Sequence, residues 1–233
     1  MQTPSSNSIN SMLFDLDGTL VDTAEDFAKV LDLMTSIAGL PPVPQAAVHQ
    51  TVSSGARALV ELAFGIDSTA HDFKALHSTL LSLYGQQVAQ TRARLYPTMD
   101  KLLTLLEERG IKWGIVTNKP EQYSIPLLRN LGLLERCQTL ICPEHVTYTK
   151  PHPEPLLLAC TQLGCAPEQS VYVGDHPRDI TAGREAGMHT IAAAYGYLPS
   201  SPAIATWQAD MIVSDVEGII QWLESATAKQ QHL

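Results

Sequence analysis

The chain has 233 residues, 45% of them hydrophobic and 17% charged, enough to bury one substantial core and a smaller appended unit. Its formal net charge of -9, with 15 Lys and Arg against 24 Asp and Glu, excludes a surface built to hold nucleic acid or acidic lipid. An anionic substrate therefore has to meet a locally positive site. No apolar stretch approaches a membrane span, and Met1 to Ser11 lacks the basic and apolar halves of a signal peptide, so the expectation is a cytoplasmic monomer or homodimer. Cys137, Cys142, Cys160 and Cys165 make two C-x4-C pairs, a weak zinc spacing in apolar or helix-like surroundings, and read as buried reduced thiols.

In chain order, the apolar run from Ser11 to Leu16 stops at Asp17-Gly18 and predicts a buried strand feeding a loop. A helix is expected from a Thr23 cap, with Glu25 and Asp26 suiting its positive first turn and Gly39 and Pro41-Pro42 ending it. Helical spacing continues over 55–64, and again from Phe73 to Val88 after a Ser68 cap. From Tyr96-Pro97 onward helices and strands alternate: helix 98–109, strand 111–116, helix 121–131, strand 138–142, helix 154–163, strand 170–173, helix 178–186, and strands 189–193 and 210–214. The stretch 199–206 and the last residues read as loosely held. This pattern predicts an α/β fold, a Rossmann-like doubly wound parallel sheet from 11–21 and 96–224, interrupted by a helical cap over 22–95.

Ligand sites of open parallel sheets lie at the carboxyl ends of the strands, and four such places carry polar residues. In Asp15-Leu16-Asp17-Gly18-Thr19, strand alternation directs both carboxylates to one side if the strand persists. At about 4 Å their repulsion is on the order of 4 kcal/mol, which demands a proton or a cation. An EF-hand reading fails, because loop positions six and twelve hold Leu20 and Asp26. Thr117 and Asn118 end the strand Ile115-Val116 and are placed to donate to phosphoryl oxygens, although alone they read as a helix cap. Lys150, between Thr149 and Pro151, supplies an ammonium on a stiffened loop, although a single lysine is usually a solvated charge. Asp175, ending the strand Val171-Tyr-Val-Gly, and Asp179 four residues later suit Mg²⁺, a hard ion preferring oxygen ligands; Asp179 reads equally as a helix cap.

Together and in this order, these four places resemble the haloacid dehalogenase superfamily, specifically its phosphatases with a helical cap inserted after the first motif, from Met12 to about Trp222. The resemblance implies Mg²⁺-dependent hydrolysis of a small phosphorylated metabolite. It implies Asp15 as nucleophile, forming an aspartyl-phosphate, and Asp17 as general acid, then base. It further implies Thr117 and Lys150 as phosphoryl holders, Asp15, Asp175 and the Asp17 carbonyl as metal ligands, and Asp179 as a supporting acid. The superfamily's dehalogenases lack an acid two residues after the nucleophile, so Asp17 argues for a phosphatase. His176 departs from the small hydroxyl residue frequent after that family aspartate.

Within the superfamily the chain is most similar to bacterial phosphoglycolate phosphatases. Ile141-Cys-Pro-Glu-His-Val146, Glu154 to Cys160 and Tyr195-Gly-Tyr197 also resemble the N-acetylmuramic acid 6-phosphate phosphatase subgroup. Both substrates carry a carboxylate. The cap loop Ser53-Ser54-Gly55-Ala56-Arg57 is the candidate contact, with Ser54 and Gly55 permitting close backbone approach and Arg57 pairing with that carboxylate; an exposed helix arginine is an equally weighted reading. A sugar phosphomutase of the same superfamily and a non-catalytic phosphate-binding protein are the alternatives.

Overall fold

The computed structural model describes residues 9–198 and 203–228; the first eight residues, 199–202 of the stretch expected to be loosely held, and the last five lie outside the described residues. In chain order the elements begin with β1 (Ser11–Phe14), β2 (Val21–Asp22), α1 (Ala24–Ile37), α2 (Gln45–Thr51), α3 (Ala56–Phe64), α4 (Phe73–Val88) and β3 (Arg94–Leu95). They continue with α5 (Met99–Glu108), β4 (Lys112–Val116), α6 (Glu121–Asn130), β5 (Leu140–Ile141), α7 (Glu154–Leu163) and β6 (Ser170–Gly174). The chain then forms α8 (Pro177–Glu185), β7 (His189–Ala193), β8 (Met211–Val213) and α9 (Val216–Ala228). Among the described residues no helix is long and apolar enough to cross a membrane.

Six parallel strands form one sheet in the order β5-β4-β1-β6-β7-β8. The chain starts in the sheet's interior, builds outward through β4 and β5, then returns to the other side of β1. That reversal is the switch point at which doubly wound sheets open a crevice. It sets the carboxyl ends of β1, β4 and β6 side by side. Period-two alternation turns Met12 and Phe14 into one core with Ile115 and Val173, and Leu13 into the opposite core with Val116, Tyr172 and Leu156. Each such fully buried side chain stabilises by roughly 1.5–3 kcal/mol, so the strand that carries the site is held from both faces.

Edge strand β5 is shorter than its expected 138–142, because Gln138 offers its side-chain oxygen to the Trp113 N–H at 2.9 Å where a ladder carbonyl would stand. The helices α1 to α4 follow β2 and precede β3, and these two strands pair antiparallel, Val21 opposite Leu95 and Asp22 opposite Arg94. Two-residue strands carry no readable alternation, which is why the sequence did not disclose them.

Two expected caps are corrected. Thr23 does not cap α1; its hydroxyl donates to Asp17 Oδ1 at 2.6 Å, while Asp22 Oδ1 and the Tyr197 hydroxyl accept from the Ala24 N–H. Ser68 lies in a turn beside the Asp67–Thr69 bond, and α4 begins later, at Phe73. Asp26, expected merely to suit the first turn, is buried and accepts from Gln87 Nε2 at 2.9 Å and from the Arg92 N–H at 3.0 Å. It thereby fastens α1 to the returning chain.

Candidate active site

After Phe14 the chain leaves the sheet, so the alternation argument for Asp15 and Asp17 does not apply. A tight turn restores what alternation does not: the Gly18 N–H donates to the Val21 carbonyl at 2.9 Å with Gly18 at φ 84°, and both carboxylates line one cavity. Close approach makes the turn possible. A Cβ on Gly196 would overlap the Gly18 carbonyl oxygen and Asp175 Cβ. Gly196→Ala is therefore expected to lose about 1–3 kcal/mol of stability in denaturant unfolding, the usual magnitude for overpacking.

Each aspartate has its own lysine. Lys150 Nζ, almost completely buried, lies 2.9 Å from Asp15 Oδ1 and 2.8 Å from Asp179 Oδ1, and donates to the Val116 carbonyl at 3.0 Å and the Tyr172 hydroxyl at 2.7 Å. Burial alone would lower its pKa, but Asp15 and Asp179 reverse that and hold the ammonium above its ordinary value. Lys119 Nζ donates to both Asp17 oxygens, at 2.9 and 3.1 Å, and to the Tyr84 hydroxyl at 2.7 Å. Tyr84 comes from α4 and stacks on Phe27 of α1, ring centroids 4.0 Å apart. The helical insertion thus reaches the Asp17 pair through Tyr84.

Thr117 lines the cavity, its hydroxyl accepting from the Lys119 N–H at 3.1 Å. The Asn118 carboxamide is committed elsewhere: Nδ2 donates to the Lys150 carbonyl at 2.9 Å and Oδ1 accepts from the Lys150 N–H at 3.2 Å. Its side chain therefore fastens the Lys150 loop, while Asn118 itself is among the residues lining the cavity. Asp179 has the capping contact expected of it, since Oδ2 accepts from the His176 N–H at 3.0 Å at the start of α8, and its Oδ1 faces Lys150 at 2.8 Å. His176, the departure noted in the sequence, accepts from the Arg178 N–H at 3.2 Å and caps that helix. Burial, and then Arg178, push its pKa down to about 4, so it remains a neutral acceptor. His145 and His152 each accept a local backbone N–H, from Cys142 and from Glu154, and neither lines the cavity.

Buried Asp15, Asp175 and Asp179 each offer an oxygen within 4.8 Å of the others. Burial, opposed by Lys150, pushes Asp15 up to about 6, and burial together with Asp15 and Asp179 raises Asp175 well above the carboxylate range. The Lys150 ammonium thus contacts only two of these three buried carboxyls, and a hard divalent cation fits that unbalanced oxygen set. The Asp17 carboxylate belongs to Lys119, which leaves its carbonyl as the group of Asp17 expected at a metal; that carbonyl faces Ser53 Oγ at 3.5 Å.

The cavity, about 170 Å³, is lined from the insertion by Phe27, Val52, Ser53, Gly55, Ala56, Leu81 and Tyr84. Of the expected contact loop, Gly55 lines it, but Ser54 and Arg57 are exposed and do not. Arg57 lies over the Phe73 ring, 5.9 Å from its centroid, because the first turn of α3 directs it outward. Ser53, in the same loop but given no role of its own by the sequence, donates its hydroxyl to Asp175 Oδ2 at 2.8 Å, where the Tyr197 N–H also donates at 2.7 Å. Lys119, Tyr84, Tyr172 and Arg178 were likewise unassigned in the sequence, and the only local signal was Lys119 following Thr117-Asn118 at a strand end. The locally positive lining required of an acidic protein is made by Lys119, Lys150 and Arg178.

The four free cysteines form no bridge; Cys142 and Cys160 are buried and Cys137 and Cys165 half-buried. Burial pushes Cys137, Cys142 and Cys160 up to about 12, leaving them as packing residues.

Known proteins are similar to this chain over most of its length. An N-acetylmuramic acid 6-phosphate phosphatase of Pseudomonas aeruginosa is 43% identical over 218 residues, 94% of this chain and 96% of that one. A phosphoglycolate phosphatase of Xanthomonas campestris pv. campestris is 42% identical over 204 residues, 87% of this chain and 91% of that one. The crystal structure of a predicted phosphoglycolate phosphatase from Haemophilus somnus 129PT superposes with a TM-score of 0.80 at 29% identity, covering 91% of this chain and 97% of that one. The family model for haloacid dehalogenase-like hydrolases matches residues 12–193. Since that match begins in the strand before Asp15 and runs past Asp179, the chain belongs to the haloacid dehalogenase-like hydrolase family.

Proposed function

We propose that the chain hydrolyses a small phosphate monoester carrying a carboxylate, with N-acetylmuramic acid 6-phosphate and 2-phosphoglycolate as the first substrates to test. The observation that carries this reading is Asp15, set at the end of the central strand against Lys150 at 2.9 Å and opening onto a cavity that also holds Asp17. The relatives' names supply the two substrates.

In this reading an Asp15 oxygen forms a bond to phosphorus as the ester P–O bond breaks, and the departing alkoxide takes a proton from Asp17. Asp17 then accepts a proton from water, whose oxygen attacks phosphorus and releases the Asp15 carboxylate. Lys150 and Thr117 hold the phosphoryl oxygens. Asp15, Asp175 and the Asp17 carbonyl are the residues to hold Mg²⁺, which when bound neutralises charge on the phosphoryl group. Lys119 orients Asp17, and the aromatic pair Phe27–Tyr84 screens the site from bulk water. The cavity is smaller than the roughly 300 Å³ at which ligand pockets usually begin, so a sugar phosphate requires the helical insertion to move outward whereas 2-phosphoglycolate requires less.

The test is phosphate release from both substrates and from hexose 6-phosphates, before and after chelation. Loss of release on stripping divalent cations and recovery with Mg²⁺ is the expected result. Full activity in the stripped protein, or an isomerised sugar phosphate without free phosphate, would refute the reading.

A further inference from the structure

Three cations line the cavity, and two are committed. Lys150 is engaged by Asp15 and Asp179, and Lys119 by Asp17. The third, Arg178, is half-buried and has no carboxylate partner among the described residues. Its contacts go to one imidazole: the Arg178 N–H and Nε both donate to His176 Nδ1, at 3.2 and 3.1 Å, and Nη2 lies 3.3 Å from Nε2. A neutral ring carries one proton. Since Nδ1 is the acceptor, Nε2 holds the hydrogen and cannot accept from Nη2. Among the described residues no oxygen accepts from the Nη edge of the guanidinium, although the ring holds the side chain in place through Nε.

We propose that Arg178 is the specificity residue of this site, receiving the carboxylate of the substrate on its Nη edge while the phosphoryl group lies in the cavity against Asp15 and Lys150. The assignment rests on the function proposed above and replaces Arg57, which points away from the cavity. A planar, permanently charged fork suits a carboxylate better than a lysine would, and His176 Nδ1 holds that fork in place by accepting from Nε at 3.1 Å.

Two substrate pairs isolate the contact, since the members of each differ in the carboxylate-bearing part. They are N-acetylmuramic acid 6-phosphate against N-acetylglucosamine 6-phosphate, and 2-phosphoglycolate against 2-hydroxyethyl phosphate. For the pair the wild type prefers, Arg178→Ala should lower kcat/KM on the carboxylate member by about 10- to 100-fold more than on its partner, chiefly through KM. Arg178→Lys should recover part of that difference, and thermal unfolding should show both variants folded. Equal losses on both members would overturn the proposal, as would a wild type that turns over the two members equally well. Release of phosphate from none of the four compounds would remove the functional reading, and this assignment with it, whereas equal turnover would leave that reading standing.

Discussion

Asp15→Asn is expected to lower phosphate release by at least about 10⁴-fold, the scale seen when a covalent nucleophile is removed, while leaving the fold intact. The amide keeps the shape, and Lys150 retains Asp179, the Val116 carbonyl and the Tyr172 hydroxyl. Residual activity near wild type would end the aspartyl-phosphate mechanism. The same variant reports on electrostatics. In the metal-free folded protein Asp15 titrates near 6, against 3.8 for an ordinary aspartate, so between those values the folded state binds more protons than the unfolded one. Stability is therefore fully present below about pH 4 and declines as pH rises through about 6, by on the order of 2–3 kcal/mol from this group. Measured in chelator across that window, the Tm of the wild type should fall relative to that of Asp15→Asn, since the opposite contribution of His176, whose lowered pKa adds stability as pH rises, is common to both proteins. Asp175 contributes in the same direction. A wild-type Tm that does not fall relative to that of Asp15→Asn from pH 4 to 6 would contradict the unbalanced carboxyl cluster.

Lys150→Met should damage both stability and catalysis. It removes the ammonium from two buried aspartates and leaves the Val116 carbonyl and Tyr172 hydroxyl with one donor fewer. Breaking one partner of a buried charge pair typically costs about 3–5 kcal/mol, and losing a positioned donor to a phosphoryl group about 10²- to 10³-fold in rate. The double variant Lys150→Met/Asp179→Asn separates the two effects. With one buried charge fewer it should regain part of the stability in denaturant unfolding, yet none of the activity. If the single variant keeps its rate within tenfold, Lys150 does not hold the phosphoryl group.

Ser53 and Tyr84 explain how the helical insertion is tied to this chemistry. Ser53 donates to Asp175, and Tyr84 accepts from Lys119, so each of the two places on the insertion touches a partner of the reacting carboxylates. Outward movement of the insertion would break both bonds together. Opening is thus coupled to the surroundings of Asp17 and Asp175 and not only to access.

Much of the fold was legible because its signals are local. Strand ends were marked by turn residues, as at Asp17-Gly18, and the helical spacing of 154–163 and the strand 189–193 agree with the structure residue for residue. Legibility failed where a residue had two local uses. Thr23 has the chemistry of a cap, but Asp17, six residues back, competes for its hydroxyl. Arg57 and Arg178 are equally plausible carboxylate partners as letters; their directions separate them, and direction in the first turn of a helix is set by packing.

What the sequence determined alone is the parallel α/β sheet and the residues that stand at its strand ends, Asp15, Thr117 and Asp175, because periodicity and chain breakers act within a few neighbouring residues. The tertiary structure decided which cation serves which carboxylate. Lys150 meets Asp15, Lys119 meets Asp17 across 102 residues, and Ser53 meets Asp175 across 122. Such pairings depend on how buried charges from distant segments neutralise one another inside a packed cavity, a property of the whole fold that no local spacing encodes.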